Sequence, residues 1–147
     1  MSESIHILVV DDNPAMADSL ADILEVKGFS VHAAASAAQA LESLAEGPVD
    51  ILLTDVKMPQ MNGLELYRAT RKTHPRLITI FMTAYAADDL IQQGMVEGVK
   101  TVLTKPLDIN FLLLLFSAEK RIIDRAGQTA AIHENGNGDS GEVDAPI

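Results

Sequence analysis

The sequence contains no cysteine. Disulfides and cysteine-rich zinc sites are therefore excluded, and a reducing compartment such as the cytoplasm is compatible with the composition. Positive charge is also scarce: 11 Lys and Arg stand against 21 Asp and Glu, a formal net charge of −10. That balance argues against direct nucleic-acid binding, which needs a basic footprint. Long apolar runs are absent as well. The longest, "INFLLLLF" at Ile109–Phe116, falls far short of the roughly 20 residues that span a bilayer, so no membrane association is expected. The opening "MSESIHILVVDDN" does not read as a secretory signal, because the apolar run Ile5–Val10 is too short and two aspartates end it. No glycine-rich loop follows that run, which counts against a nucleotide-binding α/β domain.

What is present is a patterned, half-apolar chain of 147 residues, which favours one domain. Five short apolar runs recur: "IHILVV" (5–10), "SVHAAA" (30–35), "DILLT" (50–54), "LITIFM" (77–82) and "KTVLT" (100–104). Nearly continuous runs of this kind suit strands buried on both faces of a parallel sheet. Helical signals fill the gaps. Asn13-Pro14 offers an N-cap and a first-turn proline, with Gly28 as a stop. Ser36 and Gln39 form a capping box ahead of a helix ending near Gly47-Pro48. Further helices are expected over Gly63–His74, over Ala86–Val96, and from an Asp108 cap to about Arg125. Strand and helix thus alternate five times, which predicts a doubly wound parallel α/β sheet with helices on both faces. Residues 1–126 form the expected domain. Residues 127–147 carry four glycines and four acidic residues without Lys or Arg, and are expected to be a disordered acidic tail or the start of a linker.

In such a sheet, ligands bind beyond the carboxyl ends of the strands. Asp11 and Asp12 follow the first strand, Asp55 the third, Thr83 the fourth and Lys105 the fifth. Asp55 alone is as well read as a turn cap. With the others on the same sheet edge it becomes a candidate metal ligand or nucleophile. Carboxylates brought this close repel one another by roughly 4 kcal/mol per pair at 4 Å and an effective dielectric of about 20. A hard divalent cation offsets that. Mg²⁺ suits one or two carboxylates plus waters, whereas calcium wants more protein oxygens, and without Cys or His at these strand ends zinc and copper fit poorly. Lys105 adds a second positive charge. This set suits phosphoryl transfer, with Asp55 as in-line nucleophile, Asp11 and Asp12 on the metal, and Thr83 and Lys105 bonding the remaining phosphoryl oxygens.

The motifs "VVDDN", "LLTDVKMPQMNG", "FMTAY" and "LTKP", in that order and at those intervals, resemble the receiver domain of two-component response regulators over about residues 4–125. The resemblance implies a flavodoxin-like, CheY-like (βα)5 fold with strand order 2-1-3-4-5. It implies Asp55 as phosphoacceptor, Asp12 as a direct Mg²⁺ ligand, Asp11 as a ligand through water and the Lys57 backbone carbonyl as a third protein ligand. Thr83 becomes a switch residue, Lys105 the partner of the phosphate, and the Lys105–Pro106 bond cis. Its implied partners are a sensor histidine kinase or phosphotransfer protein and a downstream protein target.

The sequence departs from the family at Val102, where many receivers carry an aromatic residue that rotates on activation. Valine has no ring to swing. Tyr85 is the nearest aromatic, and Lys57 and Tyr85 occupy positions that tune the lifetime of the phosphoryl group in this family. Both are expected to shield the site from water. The fifth helix carries a second surplus: beside Ile109, Leu112, Leu113, Phe116 and Ile123, an extra apolar stripe of Phe111, Leu114, Leu115, Ala118 and Ile122 marks a homodimer or target surface involving the fourth and fifth helices. The four histidines are scattered, with His6 and His32 expected to pack within strands. Two rival functions are a phosphohydrolase of the same chemistry and a phosphorylation-independent binding module. The first would want a second acid where Lys57 stands. The intact acidic pair, Thr83 and Lys105 argue against the second. The chain is therefore not expected to be an enzyme beyond its own phosphorylation and dephosphorylation.

Overall fold

The computed structural model describes residues 4–85 and 87–135, with side chains described as far as residue 126. Two compact units divide the chain, one of residues 3–108 and one that carries the last helix from residue 109 onward. The first unit holds β1 (His6–Val10), α1 (Pro14–Val26), β2 (Ser30–Ala34), α2 (Ala37–Glu46), β3 (Ile51–Asp55), α3 (Gly63–Thr73), β4 (Ile78–Thr83), α4 (Asp89–Glu97) and β5 (Thr101–Thr104). The second holds α5 (Ile109–Asn135). All five strands are parallel, in the order β2-β1-β3-β4-β5. The order reverses at β1, so the crevice at the carboxyl ends of β1 and β3 is the topological switch point where this architecture places its ligands.

Burial follows position in the sheet. The central β3 is buried at every residue, and β4 at all but its first. The edge strands are not buried throughout: β2 alternates partly, and β5 is only half-covered. His32, on edge strand β2, is exposed rather than packed, because no further strand covers it, while His6 is half-buried. Leu8, Val10 and Leu52 join Ala37, Ala40, Leu44 and Leu66 in one apolar cluster that seats α2 and α3. Val56, Leu64, Tyr67, Phe81, Ile91 and Val99 form a second cluster that seats α3 and α4. The alternate residues Ile7, Val9 and Leu53 are also fully buried, and α1 buries Ala17, Leu20, Ala21 and Leu24.

The helix caps explain where the chain turns. Asn13 accepts from the amides of Ala15 and Met16, with Pro14 opening α1. Ser36 Oγ accepts from Gln39 N–H, but Gln39 Oε1 accepts from Ala35 N–H rather than from Ser36 N–H, so only half of the expected capping box forms before α2. α3 has a capping box of its own, Asn62 with Glu65, which the sequence reading did not single out. Two helix boundaries differ from expectation. α4 starts at Asp89, not Ala86, because Asp88 caps it by accepting from Leu90 N–H. α5 runs to Asn135, past Arg125: Gly127 costs helix only about 1 kcal/mol, and the good helix formers Gln128, Ala130, Ala131 and Glu134 follow it with no proline. Of the expected tail, residues 136–147 lie outside the described residues. No helix among the described residues is long and apolar enough to cross a membrane.

Candidate functional site

Strand register sets the carboxyl edge. Val10 stands abreast of Thr54, Asp55 of Met82, and Thr83 of Thr104. Asp11, Asp55, Thr83 and Lys105 therefore leave the sheet at neighbouring positions, as the alternating pattern predicts. Their side chains meet. The Lys105 ammonium donates to Asp11 Oδ2 at 2.8 Å and to Asp55 Oδ2 at 3.2 Å, bridging two carboxylates that are only 3% and 8% exposed. The Lys105–Pro106 bond is cis, as expected.

Backbone amides take the other carboxylate oxygens. Asn13 N–H donates to Asp11 Oδ1 at 3.0 Å, and Val56 N–H donates to Asp55 Oδ1 at 3.0 Å. The loop after β3 returns closely over the strand end: Gly63 N–H donates to the Val56 carbonyl, and a Cβ at Gly63 would come 2.5 Å from the Asp55 carbonyl oxygen. Glycine is thus required there by close approach rather than by chemistry. Asp12 is exposed, beside the two buried acids. One oxygen from each of Asp11, Asp12 and Asp55 lies within 4.8 Å of the others, an all-oxygen set that fits a hard cation such as Mg²⁺.

Electrostatics at the site are opposed. Burial pushes the Asp55 carboxyl above its ordinary value; Lys105 pulls it back without cancelling the rise, and Asp11 and Asp12 add to it. For Lys105, burial would lower the ammonium, but the hydrogen bonds to Asp11 and Asp55 outweigh it and hold the group above its ordinary value. The site is therefore a buried acid pair that depends on one lysine, with a third acid at its rim.

Thr83 is buried, and its Oγ accepts from Tyr85 N–H at 2.9 Å, which leaves the hydroxyl proton available as a donor. Tyr85 itself is largely exposed. Val102 packs against the α3–α4 cluster. The Lys57 ammonium sits 2.9 Å from Asp88 Oδ2 at the start of α4. On the solvent side, Phe111, Leu114 and Ile122 of α5 are exposed, whereas Leu115 and Ala118 are half-buried. An apolar strip the sequence reading missed lies on α1: Met16, Ile23 and Val26 are exposed on one helical face, which begins just after Asp12. Its signal was the spacing of apolar residues beyond those that α1 needs for its core.

Fold and site together define a class, a doubly wound α/β domain with an acidic carboxyl-edge site and an opposed lysine. The response regulator receiver domain family matches residues 7–116. The response regulator receiver protein Anae109_2439 of Anaeromyxobacter sp. (strain Fw109-5) is 38% identical over 106 residues, covering 72% of this chain and 44% of that protein. A response regulator receiver domain protein (CheY-like) from Methanospirillum hungatei JF-1 superposes with a TM-score of 0.79 at 29% identity, covering 84% of this chain and 99% of that one. The beryllofluoride-activated NtrC4 receiver domain dimer gives 0.71 at 26% identity, covering 77% and 93%. The chain spans less than half the length of the first curated relatives it matches. It belongs to the response regulator receiver domain family of two-component systems.

Proposed function

We propose that this chain is a phosphorylation-activated switch that takes a phosphoryl group onto Asp55 from a histidine kinase or phosphotransfer protein. The observation that carries the reading is the Lys105 bridge between Asp11 and Asp55, with Asp12 close enough to complete a cation site. Asp11, Asp12 and Asp55, with the Lys57 backbone carbonyl, would hold Mg²⁺, which supplies charge neutralisation for the phosphoryl oxygens. One Asp55 oxygen forms a bond to phosphorus as the bond from phosphorus to the donor histidine nitrogen breaks. The electron pair leaves on that nitrogen, which takes a proton. Burial raises the basicity of Asp55, which favours it as nucleophile once ionised. Lys105 is placed to follow the new charge, and the Thr83 hydroxyl has a proton to donate to it.

The output is contact with a protein. Exposed Met16, in the first turn of α1 after Asp12, offers the donor an apolar seat that Ile23 and Val26 continue along the same helical face, and the exposed strip of α5 offers a second copy or a target another. A cytoplasmic setting follows from the histidine kinase donor. The rival hydrolase reading is weakened by Lys57, whose ammonium faces Asp88 where an acid would be wanted. One experiment separates the two. With Mg²⁺ and a small acyl phosphate, a switch incorporates about one equivalent of phosphoryl group and shows no sustained turnover of a generic phosphate ester. Steady ester turnover, lost in Asp55→Asn, would establish the hydrolase instead.

A further inference from the structure

Charged contacts fasten α4 at each end, and the two ends differ in kind. At the C-terminal end Glu97 receives a fork from Arg68, Nε to Oε1 at 2.9 Å and Nη2 to Oε2 at 2.5 Å, with Arg71 Nη1 3.1 Å from Oε1. The Tyr67 hydroxyl donates to the Glu97 carbonyl at 2.8 Å. All three partners lie on α3, and a planar guanidinium held at two points is a rigid tie. At the N-terminal end the tie is one lysine. Lys57 Nζ is 2.9 Å from Asp88 Oδ2, while Asp88 Oδ1 accepts from Leu90 N–H at 2.8 Å. Lys57 belongs to the loop after β3, two residues beyond Asp55. Its side chain is 57% exposed against 14% for Asp88, so the carboxylate is held by Leu90 N–H and its packing while the lysine stem lies largely in solvent, where it can turn. Cα atoms two residues apart are separated by at most about 7 Å. A four-carbon stem carrying a point charge can therefore serve either Asp88 or a group carried on Asp55.

We propose that Lys57–Asp88 is a latch: it ties the start of α4 to the loop after Asp55 until a phosphoryl group on Asp55 draws the ammonium away, whereupon α4 pivots on its Arg68–Glu97 end. The inference rests on the reading of Asp55 as phosphoacceptor. A phosphoryl group carries about two negative charges at neutral pH, against one on Asp88. Asp88 keeps its hold on Leu90, so the helix start survives and only the tie across elements is lost. The device uses no ring at position 102, which is valine.

Hydrogen exchange of the α4 amides in the full chain tests this. Asp88→Asn is the principal variant, because asparagine caps a helix as well as aspartate does but carries no charge to hold the ammonium. Unphosphorylated Asp88→Asn should exchange its α4 amides about threefold or more faster than wild type, and Lys57→Met should do the same. The difference should vanish once each protein is phosphorylated with Mg²⁺ and a small acyl phosphate. Equal exchange in the three unphosphorylated proteins overturns the latch. Intact mass on the same samples separates the two failures: no phosphoryl gain overturns the phosphoacceptor reading, whereas a gain with α4 exchange unmoved overturns the latch alone.

Discussion

Asp55 sits where burial and a lysine work against each other. Burial raises its carboxyl, and Lys105 only partly offsets that. A carboxyl whose folded value lies above its unfolded one favours the folded state at low pH and costs stability once pH rises through the folded value. Without Mg²⁺, Asp55→Asn is therefore expected to melt higher than wild type at neutral pH, with the gap closing as pH falls below the ordinary carboxylate range. A variant that melts lower at neutral pH would show that the charge on Asp55 is net stabilising. The residue types of this site were legible in the sequence, because a parallel sheet sends every strand end to one edge. Their pairing was not. Nothing in the order of residues says that Lys105 touches Asp11 more closely than Asp55, or that Lys57 turns to Asp88 instead of covering the site.

α4 shows the same division at the scale of elements. Gly94 lies inside α4, where glycine ordinarily weakens a helix. Yet a Cβ there would come 2.5 Å from Cε2 of fully buried Phe81. Gly94→Ala, worth up to about 1 kcal/mol of stabilisation in an exposed helix, should here destabilise by about 1–3 kcal/mol in a urea melt. A stabilised variant would mean that the Phe81 ring moves aside freely. The C-terminal end of the helix predicts a pH effect. The hydrogen bond from Arg68 holds the Glu97 carboxyl below its ordinary value. Glu97 thus contributes stability that is present above the unfolded value near 4.5 and is lost as pH falls through the lower, folded one. Glu97→Gln should remove that part of the acid dependence of Tm, and an unaltered profile would discount the clamp. Helix caps at Asn13 and Ser36 were legible because their partners are local. Arg68–Glu97 was not, since its partners are 29 residues apart and only the packing of α3 beside α4 joins them.

For the molecule as a whole, the alternation of apolar runs with capped helical segments carried the fold, because each run lies within its own element. Edge effects escaped that reading: His32 is exposed because β2 has one neighbour, a property of strand order. The apolar surplus on α5 was legible as spacing, and the exposure now ranks its members. Leu114 is 71% exposed, so Leu114→Glu should change stability by no more than about 0.5 kcal/mol while weakening self-association or target binding. Sedimentation and target binding identical to wild type would remove α5 as a contact surface. The central claim is that Asp55 accepts a phosphoryl group with the help of Mg²⁺. Intact mass, followed by peptide mapping after incubation with a small acyl phosphate, tests it most directly. The account predicts a gain of one phosphoryl group, located on the peptide containing Asp55, that requires Mg²⁺ and is absent in Asp55→Asn. No gain, or a gain that survives Asp55→Asn, would contradict it.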